Sequence, residues 1–371
     1  MKTERYLTDQ IIKDLEAKMV FVAGPRQVGK TTLARNIITD LRAYLNWDVP
    51  ASRECILKYE LPDTKAYVFD EIHKYRKWRQ FLKGLFDQYG KSKKILVTGS
   101  AKLDQFRYGG DSLQGRYHFL RLHPLSVAEL KVKTQDGLRS LLALGGFPEP
   151  FYSGSEDTAR RWSREYRSRL INEEINSLER VADLGSMELL AMRLPDCVGS
   201  PLSVNSLRED LDAGYAVVAN WLKIMERFYM IFRLPPFGGP KIRAVKKEQK
   251  HYHFDWTLVS DQALRFENMV AAHLLKWVHY QQDVYGYEYD LRYFRDIDGR
   301  EVDFVLLKDL KPAAFIEAKW SDDQIGKGLK YLKNKYPGVD SWQISAVGSK
   351  DYISKEGIRV CPALKYLSGL V

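Results

Sequence analysis

Cysteine is scarce in this chain: three in 371 residues, Cys55, Cys197 and Cys361, far apart and in no paired spacing. That argues against a disulfide scaffold and against a cysteine zinc cluster, and it fits a reducing, cytoplasmic setting. Uninterrupted apolar runs are also short. None approaches the roughly 18 residues that a membrane-spanning helix needs, so no membrane partner is expected. The opening residues, Met1-Lys2-Thr3-Glu4-Arg5, lack the apolar stretch of a secretory signal. There is no internal repeat and no low-complexity tract.

What the chain does have is a core and a charge bias. Hydrophobic residues make up 45% and charged residues 29%, a balance that excludes global disorder. The length suggests two or three domains. Lys and Arg outnumber Asp and Glu by 58 to 48, a formal charge of +10. Such an excess either tunes a solvated surface or faces a polyanion such as nucleic acid, and charge alone leaves both open.

The first 150 or so residues alternate apolar runs with helical patterns, as α/β domains do. Residues 19–23 predict a buried strand ending at Gly24, with Leu33, Ile37, Ile38 and Leu41 at helical spacing after it. Residues 67–69, 95–97 and 117–122 predict three further strands, and 78–89 a helix with Phe81, Leu82, Leu85 and Phe86 on one face. The Gly/Pro cluster at 145–150 predicts a linker. A polar helical stretch follows over about 158–181, dense in arginine. From residue 200, a short helix, a second helix over 216–227 and a strand over 228–234 resemble a winged helix. A last α/β unit follows after about residue 263, with a helix over 266–280, strands at 293–295 and 301–307 around Asp298-Gly299, a strand at 313–318 and a helix over 324–335. The expected division is therefore 1–150, 151–262 and 263–371.

The stretch Gly24-Pro25-Arg26-Gln27-Val28-Gly29-Lys30-Thr31, followed by Thr32, matches the P-loop pattern without a gap. Glycine at its two fixed positions permits backbone angles that aim several N–H groups at one anion. The helix beginning near Lys30 adds its positive end. Lys30 can reach the β- and γ-phosphates of ATP, and the Thr31 hydroxyl can bind Mg²⁺. The strand Ala66-Tyr67-Val68-Phe69-Asp70-Glu71 ends in two acids where a parallel sheet places its ligands. Asp70 is then the candidate for holding the Mg²⁺ shell, and Glu71 for orienting the attacking water. Val97-Thr98-Gly99-Ser100 ends a further strand. Either Thr98 or Ser100 can sense the γ-phosphate, or cap the next helix instead.

With these residues the chain resembles a prokaryotic AAA+-type P-loop ATPase family in which the ATPase core precedes a C-terminal domain of unknown function. The stretches that carry the resemblance are GPRQVGKTTL from Gly24, YVFDEIHKYRKW from Tyr67, ILVTGSA from Ile95 and LQGRYHFLRLHPLSVAE from Leu113. Later ones begin at Arg233, Phe266 and Arg295. The resemblance implies ATP binding and hydrolysis with Mg²⁺. It also makes Arg116 a candidate arginine finger, which in trans would require a homo-oligomer.

Near the C-terminus, Asp303 in Glu301-Val302-Asp303-Phe304-Val305 precedes Ile316-Glu317-Ala318-Lys319-Trp320 by fourteen residues. An Asp followed after a gap by Glu-x-Lys on adjacent strands resembles the PD-(D/E)xK nuclease-like core, although Val302 stands where that pattern has proline. Period-2 geometry puts Glu317 and Lys319 on one strand face. Asp303, Glu317 and Glu267 would supply carboxylates to a second Mg²⁺, with Lys319 near the attacking water. The fold class expected is thus α/β: a P-loop NTPase, a helical and winged-helix-like segment, and a restriction-endonuclease-like α/β domain. The function expected is ATP hydrolysis coupled to DNA binding or processing. The alternative is a nucleotide-controlled switch whose tail binds a protein partner and cuts nothing.

Overall fold

In the computed structural model, which describes residues 4–99, 103, 113–176, 179, 181, 183–238 and 249–371, the alternating pattern of the first third becomes a parallel sheet. In chain order it comprises α1 (Thr8–Asp14), β1 (Met19–Ala23), α2 (Lys30–Ile37), β2 (Tyr44–Asn46), α3 (Pro50–Lys58), β3 (Ala66–Asp70), α4 (Trp78–Tyr89), β4 (Lys94–Thr98) and β5 (Tyr117–Arg121). The strand order is β2-β3-β4-β1-β5, and every neighbouring pair is parallel. Central strands of such a sheet are covered on both faces, which is why they appear in sequence as unbroken apolar runs. All five residues of β1 are buried. Trp78, Phe81, Leu82 and Leu85 of α4 pack with Phe21 and Phe69 of the sheet, and burying side chains of this size contributes roughly 1.5–3 kcal/mol each. This is the P-loop NTPase architecture expected. It sets the carboxyl ends of β1, β4 and β3 side by side at one edge, where α/β sheets hold their ligands. The strand over 117–121 is the fifth and not the fourth, because β2 is only three residues long and too polar to show as an apolar run.

The chain divides into two compact units, Met1–Pro124 and Leu125–Val371. The second unit opens with α5 (Gln135–Leu144), α6 (Pro148–Ser153), α7 (Glu156–Arg169) and α8 (Leu184–Arg193). Residues 145–150 therefore close one helix and start the next: Gly145 ends α5 at φ 81° and Pro148 sits in the first turn of α6, where its missing N–H costs nothing. Then come β6 (Pro201–Leu202), α9 (Val204–Asp210), α10 (Tyr215–Arg227), β7 (Ile231–Leu234) and β8 (Gln249–His253), with the strands in a three-stranded antiparallel sheet of order β6-β8-β7.

The rest is α11 (Gln262–Tyr285), β9 (Tyr289–Arg295), β10 (Glu301–Lys308), β11 (Lys311–Lys319), α12 (Lys327–Lys335), β12 (Asp340–Ser345), β13 (Tyr352–Ile353), β14 (Arg359–Pro362) and α13 (Ala363–Leu367). They build a mixed sheet of order β13-β14-β12-β11-β10-β9. β9, β10 and β11 are antiparallel neighbours, whereas β12 runs parallel to β11. Val302, Val305 and Phe315 pack with Leu329 and Leu332 of α12. A register shift between Val302 and Val305 interrupts the alternation of β10, and Asp303 lies within it. Among the described residues, no helix is long and apolar enough to cross a membrane.

Candidate functional site

The loop between β1 and α2 is shaped by its two fixed glycines. Gly24 has φ 150°, and a Cβ there would lie 2.2 Å from the carbonyl oxygen of Leu122. Gly29 caps α2 at φ 102°, a left-handed conformation that other residues adopt only with strain. Between them the chain wraps around Lys30. Its buried ammonium donates to the carbonyl oxygens of Gly24 at 2.9 Å and Pro25 at 2.6 Å. Pro25 and Val28 are buried, Arg26 and Gln27 half-buried, and Thr32 exposed on α2. The loop is braced from outside by Arg5, which donates to the carbonyl oxygens of Val28 at 2.6 Å and His123 at 2.5 Å. Arg5 escapes sequence reasoning because nothing local marks it; its partners lie in distant segments.

Asp70 ends β3 in the middle of a ring of hydroxyls. Thr31 donates to its Oδ2 at 2.8 Å, and Thr98, at the tip of the intervening β4, donates to Oδ1 at 2.6 Å. Tyr44 of β2 donates to Oδ2 at 2.5 Å. Sequence reasoning missed Tyr44. Burial and the Asp70 carboxylate push its phenol up to about 12, and Arg35 stacks over its ring at 4.1 Å. Glu71 follows Asp70 at the same sheet edge with φ 57°. Its N–H donates to the carbonyl oxygen of Thr98 at 2.9 Å. Its Oε2 lies 3.5 Å from His73 Nε2 and 3.6 Å from Lys74 Nζ. Ser100 lies outside the described residues.

The carboxylates singled out near the C-terminus also meet. Phe304 pairs with Ile316 across β10 and β11, so Asp303 and Glu317 share a sheet face. The Ala318 N–H donates to Asp303 Oδ2 at 2.9 Å, and Lys319 Nζ is 2.7 Å from Glu317 Oε1. Glu267 of α11 accepts from the Tyr252 hydroxyl at 2.7 Å. What the sequence did not reveal is Lys250 of β8. Its fully buried ammonium lies 2.5 Å from Glu301 Oε1, 3.3 Å from Glu267 Oε1 and 3.6 Å from Asp303 Oδ1.

Among the described residues, no three His, Cys, Asp or Glu side chains are placed to hold a metal ion. Of the acids singled out, Glu267 and Asp303 stand beside the Lys250 ammonium and Glu317 beside Lys319. Burial, and then the charge of Asp303, push the carboxyl of Glu317 up to about 8 and that of Glu267 up to about 7. Burial pulls the Lys250 ammonium down, but the surrounding carboxylates outweigh it and leave its pKa above the ordinary lysine value.

Residues 16–131 match the family described as AAA domain. That span contains the loop, Asp70, Glu71, Thr98 and Arg116. Over that span the chain is similar to AAA domains. Residues 135–269 and 265–366 match two families described only as domains of unknown function, DUF8612 and DUF4143. An uncharacterized protein of Mycobacterium tuberculosis is 24% identical over 248 residues, 66% of this chain and 55% of the relative, and one of Mycobacterium bovis matches with the same figures. The chain thus spans about half the length of these relatives. Among solved structures, the Aeropyrum pernix ORC1 protein in complex with DNA aligns over 71% of this chain and 91% of its own, at 11% identity and TM-score 0.31. The Bacillus subtilis DNA clamp loader delta protein aligns over 60% and 88%, at 10% identity and TM-score 0.30.

Within the first unit, the Thr31 hydroxyl and the Asp70 carboxylate form a hard-oxygen pair of the kind Mg²⁺ prefers, directly beside the loop that holds Lys30. Arg116 lies at the opposite edge. Its carbonyl oxygen accepts from the Met19 N–H at 3.0 Å, at the start of β1, so the length of the strand, roughly 16 Å, separates it from its own phosphate loop. Its guanidinium Nε is 3.0 Å from Asp87 Oδ1.

Proposed function

We propose that the chain hydrolyses ATP to ADP and phosphate with Mg²⁺. The observation that carries this reading is the convergence of Thr31 and Thr98 on Asp70 at the mouth of the loop around Lys30. The main-chain N–H groups near Gly29 and the Lys30 ammonium grip the β- and γ-phosphates. Thr31 and Asp70 hold Mg²⁺, which when bound neutralises charge developing on the phosphates. Glu71 orients and polarises the attacking water, and Thr98 keeps Asp70 turned toward the site. Arg116 sits at the other end of β1 from its own loop, which supports its acting as a finger on a neighbouring copy of the chain.

The same proposal gives the chain three functional parts, with the first ending near Pro124 instead of residue 150. For the middle part, the order strand, two helices, two strands over 201–253 supports a winged helix. For the last, the order helix, three antiparallel strands, helix, parallel strand over 262–345 supports a nuclease-like fold. Together with the charge of +10, they favour a DNA partner for the second unit. The runner-up, a switch whose second unit engages a protein partner without cutting, is favoured by the lysine inside the acidic cluster. ATPase rates with and without DNA for wild type, Lys30→Ala and Glu71→Gln test the reading. It requires turnover that both substitutions abolish, and a DNA partner further requires stimulation of the wild type by DNA at low salt.

A further inference from the structure

The acidic cluster of the second unit is supplied with its own counter-ion by a strand from outside the sheet that carries it. Lys250 belongs to β8, in the three-stranded sheet, and its ammonium reaches three carboxylates, on α11 and β10. Its position is built in. The buried Asn268 clamps the β8 backbone, accepting from the His253 N–H at 2.9 Å and donating to the His253 carbonyl oxygen at 2.7 Å. Two residues from Lys250, Tyr252 is tied to Glu267 Oε1. The remaining oxygens are largely engaged as well: Asp303 Oδ2 by the Ala318 N–H and Glu317 Oε1 by Lys319. Glu317 Oε2 is buried with no partner among the described residues, and one such oxygen does not make a cation site.

We propose that Lys250 is the resident cation of this cluster, standing where a nuclease-like site would take a divalent metal, so that the second unit works by binding and not by metal-dependent cleavage. A metal ion entering here would lie beside an ammonium of like charge and would have to take oxygens away from it. The lysine thereby also fastens the three-stranded sheet to α11 and β10 through charge-assisted hydrogen bonds.

The test is a Mn²⁺ titration of the full-length, nucleotide-free protein, read by electron paramagnetic resonance. It is independent of the ATPase reading, because no nucleotide is present and turnover is not measured. Wild type and Glu317→Gln should give superimposable curves. Lys250→Met, which leaves the carboxylates without their ammonium, should gain one site per chain, bound about tenfold or more tighter than any wild-type site. A wild-type site that Glu317→Gln removes overturns the proposal, as does Mn²⁺-dependent cutting of plasmid DNA that Glu317→Gln abolishes. A folded Lys250→Met chain that gains no site overturns it too, since the ammonium would then not be what excludes the metal. Should Lys250→Met fail to fold, the comparison of wild type with Glu317→Gln still decides.

Discussion

Replacing Glu317 by Gln changes the pH dependence of stability in a calculable direction. The Glu317 carboxyl is pushed up to about 8 in the folded chain, by burial first and then by Asp303, against 4.5 ordinarily. For an acid shifted upward, the folded state holds a proton that the unfolded state has lost. The stabilising contribution is therefore fully present below pH 4.5 and disappears as pH rises through about 8. One proton limits the slope to about 1.4 kcal/mol per pH unit. Between about pH 5 and pH 7.5 the wild type should lose on the order of 3 kcal/mol that the amide, which cannot ionise, retains. Glu267 titrates in the same direction, up to about 7, but it is present in both proteins and largely cancels in the difference. Lys250 and Lys319 are shifted upward from an already alkaline value and contribute no slope in this window. The assay is urea unfolding of both proteins across the range, followed by tryptophan fluorescence. The two should be about equally stable near pH 5, with the variant ahead by a margin that grows toward pH 7.5. A margin independent of pH would refute the account of Glu317 as a buried acid facing Asp303.

Three further outcomes concern the nucleotide site. Lys30→Ala removes the ammonium that the loop wraps around, and with charge-assisted contacts contributing about 1.5–3 kcal/mol each, ATP affinity should fall about 100-fold by calorimetry; an unchanged Kd would break the phosphate reading. Tyr44→Phe deletes one of three hydroxyls on Asp70. It should cost about 1–2 kcal/mol in urea unfolding and raise the Mg²⁺ concentration for half-maximal turnover, whereas loss of stability with no Mg²⁺ effect would make Tyr44 merely structural. If Arg116 acts on a neighbouring copy, turnover per chain should rise with protein concentration, and Arg116→Ala should lower it by about 10³-fold or more; turnover per chain that is flat with concentration in the wild type rules this out.

The parts of the molecule that sequence made legible share a local cause. The P-loop is eight consecutive residues, and its two glycines are demanded by backbone geometry at those very positions: Gly24 by its closeness to Leu122 and Gly29 by its left-handed cap. Strands β1, β3 and β4 announce themselves because both sheet faces are covered and each must shed water along its whole length. β2 and β8 do not. Tyr44-Leu45-Asn46 and Gln249-Lys250-His251-Tyr252-His253 are mostly polar, yet four of the five β8 residues are buried. Several of their buried polar groups meet partners far along the chain: Tyr44 meets Asp70, Lys250 three carboxylates, and His251 Nε2 the carbonyl oxygen of Leu194 at 2.9 Å.

Apolar periodicity reports transfer from water and nothing else, so a polar strand paid for by distant partners leaves no periodic trace. The same physics explains why the acidic cluster was half legible. Asp303, Glu317 and Lys319 sit on a hairpin, where spacing fixes their common face. The cation that changes their chemistry arrives from a strand some fifty residues earlier, whose approach only the folded chain reveals. A motif of charges therefore establishes which groups meet, but what they can do depends on net local charge. Here one buried ammonium, invisible to any spacing rule, turns a set of metal-ligand types into an internally neutralised joint.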